Sequence, residues 1–123
     1  MKEEVGFGIQ CLSGTGALRV GADFLCHQLK TSIVYVSDPT CGNHNLIFRN
    51  AGFAEIRKYR YWDKVNRNLN FEGMIEDLKN APAGAVVVLH GCAHNPTGEF
   101  FLSTCFLCLL TLIVGIKWHC WLL

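Results

Sequence analysis

The five consecutive apolar residues Ala85-Val86-Val87-Val88-Leu89 constrain this chain more than any other stretch. A strand with one face in water alternates polar and apolar side chains, because successive residues point to opposite faces. An unbroken apolar strand has to be covered on both faces, which is the habit of parallel sheets flanked by helices. The run Ile33-Val34-Tyr35-Val36 has the same character. Between and before these runs, apolar residues recur at helical spacing. Ala17, Leu18, Ala22, Leu25 and Leu29 share one face, and Phe71, Met74, Ile75 and Leu78 share another. Helices alternating with buried strands predict an α/β fold, a mostly parallel sheet with flanking helices. At 123 residues the chain is long enough for one small domain.

The punctuation sets the expected boundaries. The first helix is expected to run to about Lys30. Asn43 is expected to cap a short second helix carrying Leu46, Ile47 and Ala51, with Gly52 at its end. A second strand is expected over 57–61, exposed on one side, followed by a polar turn over 63–68. Asn70 is expected to cap the third helix, and Pro82 lies beyond its end. Ligands of parallel sheets sit beyond the carboxyl ends of the strands. That directs attention to three loops, 13–16, 38–44 and 90–98.

The first of these, Ser13-Gly14-Thr15-Gly16, reads as a loop turning into a helix. The first N–H groups of a helix have no partner within it, and the macrodipole there is positive. Glycines let the backbone approach an anion, and the hydroxyls of Ser13 and Thr15 can add hydrogen bonds. Two readings follow, a phosphate site and an ordinary N-capped helix with a glycine-rich lead-in. No lysine follows in register, so this is not the longer nucleotide loop ending in Gly-Lys-Ser/Thr.

Charge narrows the classes of partner. Lys and Arg total 11 against 10 Asp and Glu, a net charge of +1, and no block of like charges appears. Nothing here favours nucleic acid or an anionic surface. Cysteines stand at 11, 26, 41, 92, 105, 108 and 120, an odd number, and Met1-Lys2-Glu3-Glu4-Val5 does not read as a signal peptide. We therefore expect reduced thiols and a cytoplasmic location. Nor does the start read as an arginine-rich mitochondrial presequence.

The end of the chain changes character. Residues 100–116 pass without a charge, 17 in succession. That length lies at the short end for a membrane helix, so a tail anchor is one reading. A translated intron or shifted frame is another. Cys105-x-x-Cys108 with His119-Cys120 has zinc-ligand residue types, but the short apolar segment between them argues against a metal knuckle. Cysteines scattered through a hydrophobic run are the simpler reading.

Taken together, four motifs carry a resemblance. They are Ser13-Gly14-Thr15-Gly16-Ala17-Leu18-Arg19, Pro39-Thr40 with Asn43-His44, Tyr59-Arg60-Tyr61, and His90-Gly91-Cys92-Ala93-His94-Asn95-Pro96-Thr97-Gly98. In this order and spacing they resemble the aspartate aminotransferases, pyridoxal-phosphate enzymes of fold type I, class I. Gly21-Ala22-Asp23-Phe24-Leu25 and Tyr59-Arg60-Tyr61-Trp62-Asp63 are more similar to the cytosolic isoenzymes. The resemblance covers roughly 6–98 and implies part of the large, cofactor-binding domain over 1–98, with a hydrophobic tail unrelated to the family over 99–123.

What the resemblance implies can be stated residue by residue. Ser13, Gly14 and Thr15 match the loop holding the cofactor phosphate. Asn95 matches the asparagine donating to the phenolic oxygen of the pyridoxal ring, and Pro96 resembles the family's cis-proline. His44 matches the histidine behind the ring, and His90 a further supporting histidine beside it. His94 has a match without a role that its chemistry argues. Cys41 departs from the pattern, since the family stacks a tryptophan on the ring there and a thiol offers no flat contact. The implied chemistry is exchange of an amino group between L-aspartate and 2-oxoglutarate, in a homodimer. Transamination needs a lysine for the Schiff base. None of the six lysines (Lys2, Lys30, Lys58, Lys64, Lys79 and Lys117) stands in the family's Ser-x-Ser-Lys-like context. We therefore expect a truncated form, inactive by itself and holding the cofactor weakly, with no catalytic residue and no metal. The second expectation, of another class, is a tail-anchored or partner-binding remnant without chemistry.

Overall fold

The computed structural model describes residues 8–91 and 93–99, and the backbone of 119–122. In chain order the elements are α1 (Ser13–His27), β1 (Ile33–Asp38), α2 (Gly42–Ala51), β2 (Glu55–Arg60), β3 (Trp62–Asp63), β4 (Asn68–Leu69), α3 (Phe71–Lys79), β5 (Val86–Leu89) and β6 (His119–Leu122). The main sheet runs β2-β1-β5-β6, and its pairings are parallel. β3 and β4 form a small antiparallel ribbon at the side.

The unbroken apolar strands divide their side chains between two cores. Val34, Val36, Val86 and Val88 meet Leu18, Ala22 and Leu25 of α1 and Ile47, Phe48 and Ala51 of α2. Tyr35, Val87 and Leu89 point the other way, onto Met74 and Leu78 of α3 and onto Tyr59 and Tyr61. Full burial of one such aliphatic side chain contributes about 1.5–3 kcal/mol, so neither face could be left open. Connection handedness explains the sides. The chain steps from β1 outward to β2, then back across β1 to β5. Right-handed crossovers in opposite directions place α2 and α3 on opposite faces. The direction of winding reverses between β1 and β5, so their carboxyl ends diverge into a crevice.

Several local expectations are corrected. α1 begins at Ser13, so residues 13–16 form the helix's first turn and not a loop before it. It ends at His27, short of Lys30, where Thr31 bonds back to the Leu25 carbonyl through both its N–H and its hydroxyl. The cap of α2 is Cys41, without a side-chain bond, and Asn43 falls inside the first turn. Asn43 could not cap a helix that already starts one residue before it. The second strand is Glu55–Arg60, displaced from 57–61, because it pairs in register with β1 from Ile33↔Glu55 to Asp38↔Arg60. Gly52 does close α2, in the left-handed region at φ 102°. Asn70 does cap α3, its side chain accepting from the Gly73 N–H.

β6 lies within the segment expected to stand apart from the fold. Its backbone extends the sheet beside β5, from Val86↔His119 to Leu89↔Leu122. The apolar run 100–116 and Cys105-x-x-Cys108 lie outside the described residues. Among the described residues no helix is long and apolar enough to cross a membrane.

Candidate functional site

Three stretches far apart in sequence meet at the crevice. They line a cleft of about 310 Å³ that contains Ser13, Gly14 and Thr15 of α1, Cys41, Asn43 and His44 after β1, and His90 and Asn95 after β5. Leu18 and Ile47 form its apolar side. The six residues singled out from the sequence, Ser13, Gly14, Thr15, His44, His90 and Asn95, all lie on this one surface.

Each wall offers a different chemistry. The α1 wall is a helix start whose first intrahelical bond runs from Gly16 N–H to Leu12 O, at 3.0 Å. The N–H groups before it therefore belong to the unpartnered first turn. Leu12 occupies the cap position and brings no side-chain acceptor. Ser13 holds φ at 57°, a region that costs a non-glycine residue about 1 kcal/mol or more. A Cβ added at Gly14 would meet nothing within 4 Å, so space is open above the turn. A helix start without a side-chain cap, facing open space, attracts an anion through its dipole and free N–H groups.

The opposite wall is built of histidines that remain neutral. His44 is buried on α2, with Nδ1 2.8 Å from Thr40 Oγ1, and burial lowers its pKa. His90 is buried at the end of β5, its ring 5.4 Å from that of His44. Burial first, and the His44 charge second, lower its pKa to about 4. Among the described residues both ring nitrogens of His90 lack a hydrogen-bond partner. A buried polar atom without a partner costs about 1–3 kcal/mol, which a ligand bonding to it would recover. No Lys, Arg, Asp or Glu side chain lines the cleft among the described residues. Among the described residues the positive potential there comes from the α1 backbone. Among the described residues no group of three or more His, Cys, Asp or Glu is placed to hold a metal ion.

Sequence reasoning missed the support behind the Asn95 loop. His94 is 2 % exposed and bonds Ser37 Oγ on β1 through Nε2 and Thr97 Oγ1 through Nδ1, each at 2.8 Å. Its ring stacks on Tyr61 with centroids 3.7 Å apart and planes 20° from parallel. Burial, then the His90 and His44 charges, hold its pKa down at about 4. Burial and the nearby Glu99 charge push the Tyr61 hydroxyl upward. Ser37 lies 57 residues from His94 in sequence, and no local signal could have joined them. The Asn95–Pro96 peptide is cis, and so is Asp38–Pro39, which no sequence signal marked. His27, on the solvent side of α1, is exposed as expected.

Comparison with known proteins adds an independent line. The model of the aminotransferase class I and II family matches residues 2–112, running past Gly98. The cytoplasmic aspartate aminotransferase of Caenorhabditis elegans is 54% identical over 98 residues, 80% of this chain and 24% of that protein. A cytoplasmic isozyme of Arabidopsis thaliana gives the same identity over the same shares. Aspartate aminotransferase from Trypanosoma cruzi superposes with a TM-score of 0.90 at 42% identity, covering 94% of this chain and 30% of that one. An aromatic-amino-acid aminotransferase from Burkholderia pseudomallei, solved with pyridoxal phosphate covalently bound, gives a TM-score of 0.86 at 38% identity. That match covers 91% of this chain and 28% of the other. The chain thus spans about a quarter of the length of the curated relatives it matches.

Proposed function

The chain belongs to the class I and II aminotransferase family, and we propose that its cleft is one wall of a pyridoxal-phosphate site. The observation that carries this reading is the convergence of Ser13–Thr15, His44, His90 and Asn95, from three stretches far apart in sequence, on one crevice where the winding reverses. The residues present fit such a group. A phosphate suits the open first turn of α1, and the buried unpartnered nitrogens of His90 suit a polar ring.

In this reading the backbone N–H groups of Gly14 and Thr15, with the hydroxyls of Ser13 and Thr15, hold the phosphate. Asn95, from the loop after β5, donates its side-chain amide to the phenolic oxygen of the ring. His44 and His90 stay neutral and offer hydrogen bonds rather than charge, so they do not compete with the helix start for the anion. Leu18 and Ile47 exclude water from one side. Cys41 leaves the ring face more open than an aromatic residue would. When bound, pyridoxal phosphate supplies the electron sink that stabilises a carbanion next to nitrogen.

The activity of the complete proteins extends the reading. We assign to the family context amino-group exchange between L-aspartate and 2-oxoglutarate, a homodimer and a cytoplasmic setting. The 123-residue chain by itself supplies no lysine to the cleft among its described residues. It holds the phosphate and orients the ring without providing the covalent link. We therefore expect no turnover above that of free cofactor.

The test is a titration of the 123-residue chain with pyridoxal phosphate and with unphosphorylated pyridoxal. Charge-assisted hydrogen bonds contribute about 1.5–3 kcal/mol each, so loss of the phosphate is expected to weaken binding by roughly tenfold or more. Gly14→Pro removes one N–H from the cradle and is expected to erase most of that difference. Equal affinity for the two ligands, unchanged by Gly14→Pro, overturns the reading.

A further inference from the structure

His94 is enclosed beside the cleft, and the wall described above gives it no part. Its ring is held from several directions at once. Ser37 Oγ meets Nε2, Thr97 Oγ1 meets Nδ1, Tyr61 lies against one face, and His90 meets it edge to face at 4.7 Å. Its backbone closes the loop as well. The His94 N–H donates to Glu99 O at 2.9 Å, and the Gly98 N–H donates to His94 O at 2.6 Å. A neutral imidazole has one donor and one acceptor, and hydroxyls can serve as either, so both ring bonds are satisfied in either tautomer. Asn95, the next residue, is exposed, and among the described residues no hydrogen bond holds its side chain. Its direction is inherited from the backbone that His94 fixes.

We propose that His94 is a positioning residue: by pinning the loop after β5 to Ser37 and Tyr61, it sets the direction in which the Asn95 amide enters the cleft. The consequence is selectivity, because an amide held in one direction rewards a ligand with an acceptor oxygen at that point and a drifting amide does not. This rests on the reading of the cleft as a pyridoxal-phosphate wall. The contrary view is that His94 only fills space between β1 and Tyr61. His94→Phe separates the two, since it keeps volume and a stacked ring but removes both hydrogen bonds. Thr97→Val removes one bond with little change of shape, and it serves where His94→Phe does not fold.

The experiment uses the 123-residue chain and two readouts. The first is the ratio of dissociation constants for 3-deoxypyridoxal phosphate, which lacks the phenolic oxygen, and pyridoxal phosphate. The parent is expected to prefer the oxygen-bearing ligand by about tenfold. His94→Phe and Thr97→Val are expected to bring the ratio toward one while affinity for the 3-deoxy ligand holds. A preference retained in both variants overturns the proposal. The second readout needs no ligand. The side-chain amide protons of Asn95 are expected to shift toward exposed, averaged positions in both variants, while amides of α3 stay in place. Unchanged Asn95 signals overturn the positioning claim whatever the ligands do. A parent without any preference, matched by Asn95→Ala, instead overturns the assignment of Asn95 to the ring oxygen. A shifted Asn95 signal then supports the positioning role by itself.

Discussion

Acidification should destabilise this chain through its buried histidines, in a window fixed by their pKa values. His90 and His94 are both about 4 in the folded chain, against an ordinary value of 6.5. Between these limits the unfolded chain binds protons that the folded chain refuses. Stability is therefore fully present above about pH 6.5 and falls as pH drops toward 4, below which the loss levels off. At about pH 5 the stability lost through each ring is about 2 kcal/mol. The two contributions do not simply add, because His44, His90 and His94 sit together and each charge raises the cost of the next. Among the described residues Tyr61, Glu99 and the Cys41 thiol also lie near this cluster. Even a loss of about 2 kcal/mol is a large share of the roughly 5–15 kcal/mol that holds an ordinary domain together. The assay is urea unfolding at about pH 7.5, 6 and 5, followed by far-ultraviolet circular dichroism. His90→Phe is the discriminating variant, because among the described residues the His90 ring has no hydrogen bond to lose. It is expected to unfold at the parent's urea midpoint or higher near pH 7.5, and to lose much of the acid dependence. A variant with the same acid dependence as the parent would refute the argument.

Three further outcomes follow from local geometry. Gly52→Ala forces a side chain into φ 102° at the end of α2, and its Cβ would also meet Cys26 Sγ at 3.4 Å; a loss of about 1–2 kcal/mol is expected in the same urea assay. Phe48 is fully buried and meets Phe53 edge-on with centroids 5.2 Å apart, so Phe48→Ala is expected to cost about 3–5 kcal/mol and to flatten the unfolding transition. A Cβ at Gly73 would lie 2.8 Å from Asn70 Oδ1, the atom that caps α3. Gly73→Ala should therefore be nearly neutral in the parent, the lost cap offsetting the gain in helix propensity, yet stabilising by about 1 kcal/mol in an Asn70→Ala background, as a double-mutant cycle would show.

How far the fold could be read depended on whether the decisive contacts were local. Val86 to Leu89 announced a strand covered on both sides, because burial on two faces removes the polar alternation that one wet face imposes. Asn70 and Gly52 were legible because a cap is chosen by the few backbone groups beside it. Asn43 misled for the same reason. Its side chain suits a cap, but the helix starts one residue earlier, at Gly42. The start of α1 was misplaced because serine and glycine weaken a helical reading, whereas here they occupy its first turn with Ser13 at positive φ. Nothing in the stretch 119–122 announced a strand beside β5, since pairing at a sheet edge is decided by a neighbour distant in sequence.

The candidate site divides along the same line. The anion-binding role proposed for 13–15 rests on two general properties of any helix start, free N–H groups and a positive dipole end, so sequence alone could raise it. Its meeting with His44, His90 and Asn95 follows from topology, since a reversal of winding between β1 and β5 opens a crevice where the start of α1, the start of α2 and the stretch after β5 arrive. Knowing that the strands were parallel pointed to the right end of the sheet, but the strand order was needed to say which loops would touch. His94 lies one step further out of reach. What makes it more than a core histidine is the Ser37 hydroxyl at 2.8 Å and the Tyr61 ring at 3.7 Å, and both come from other strands or loops of the folded chain. Thr97 and His90 are close to it in sequence, but contacts with partners as distant as Ser37 and Tyr61 leave no periodicity, cap or spacing in the sequence. The motif around Asn95 could thus be seen from the sequence, while the contacts that aim it could be found only in three dimensions.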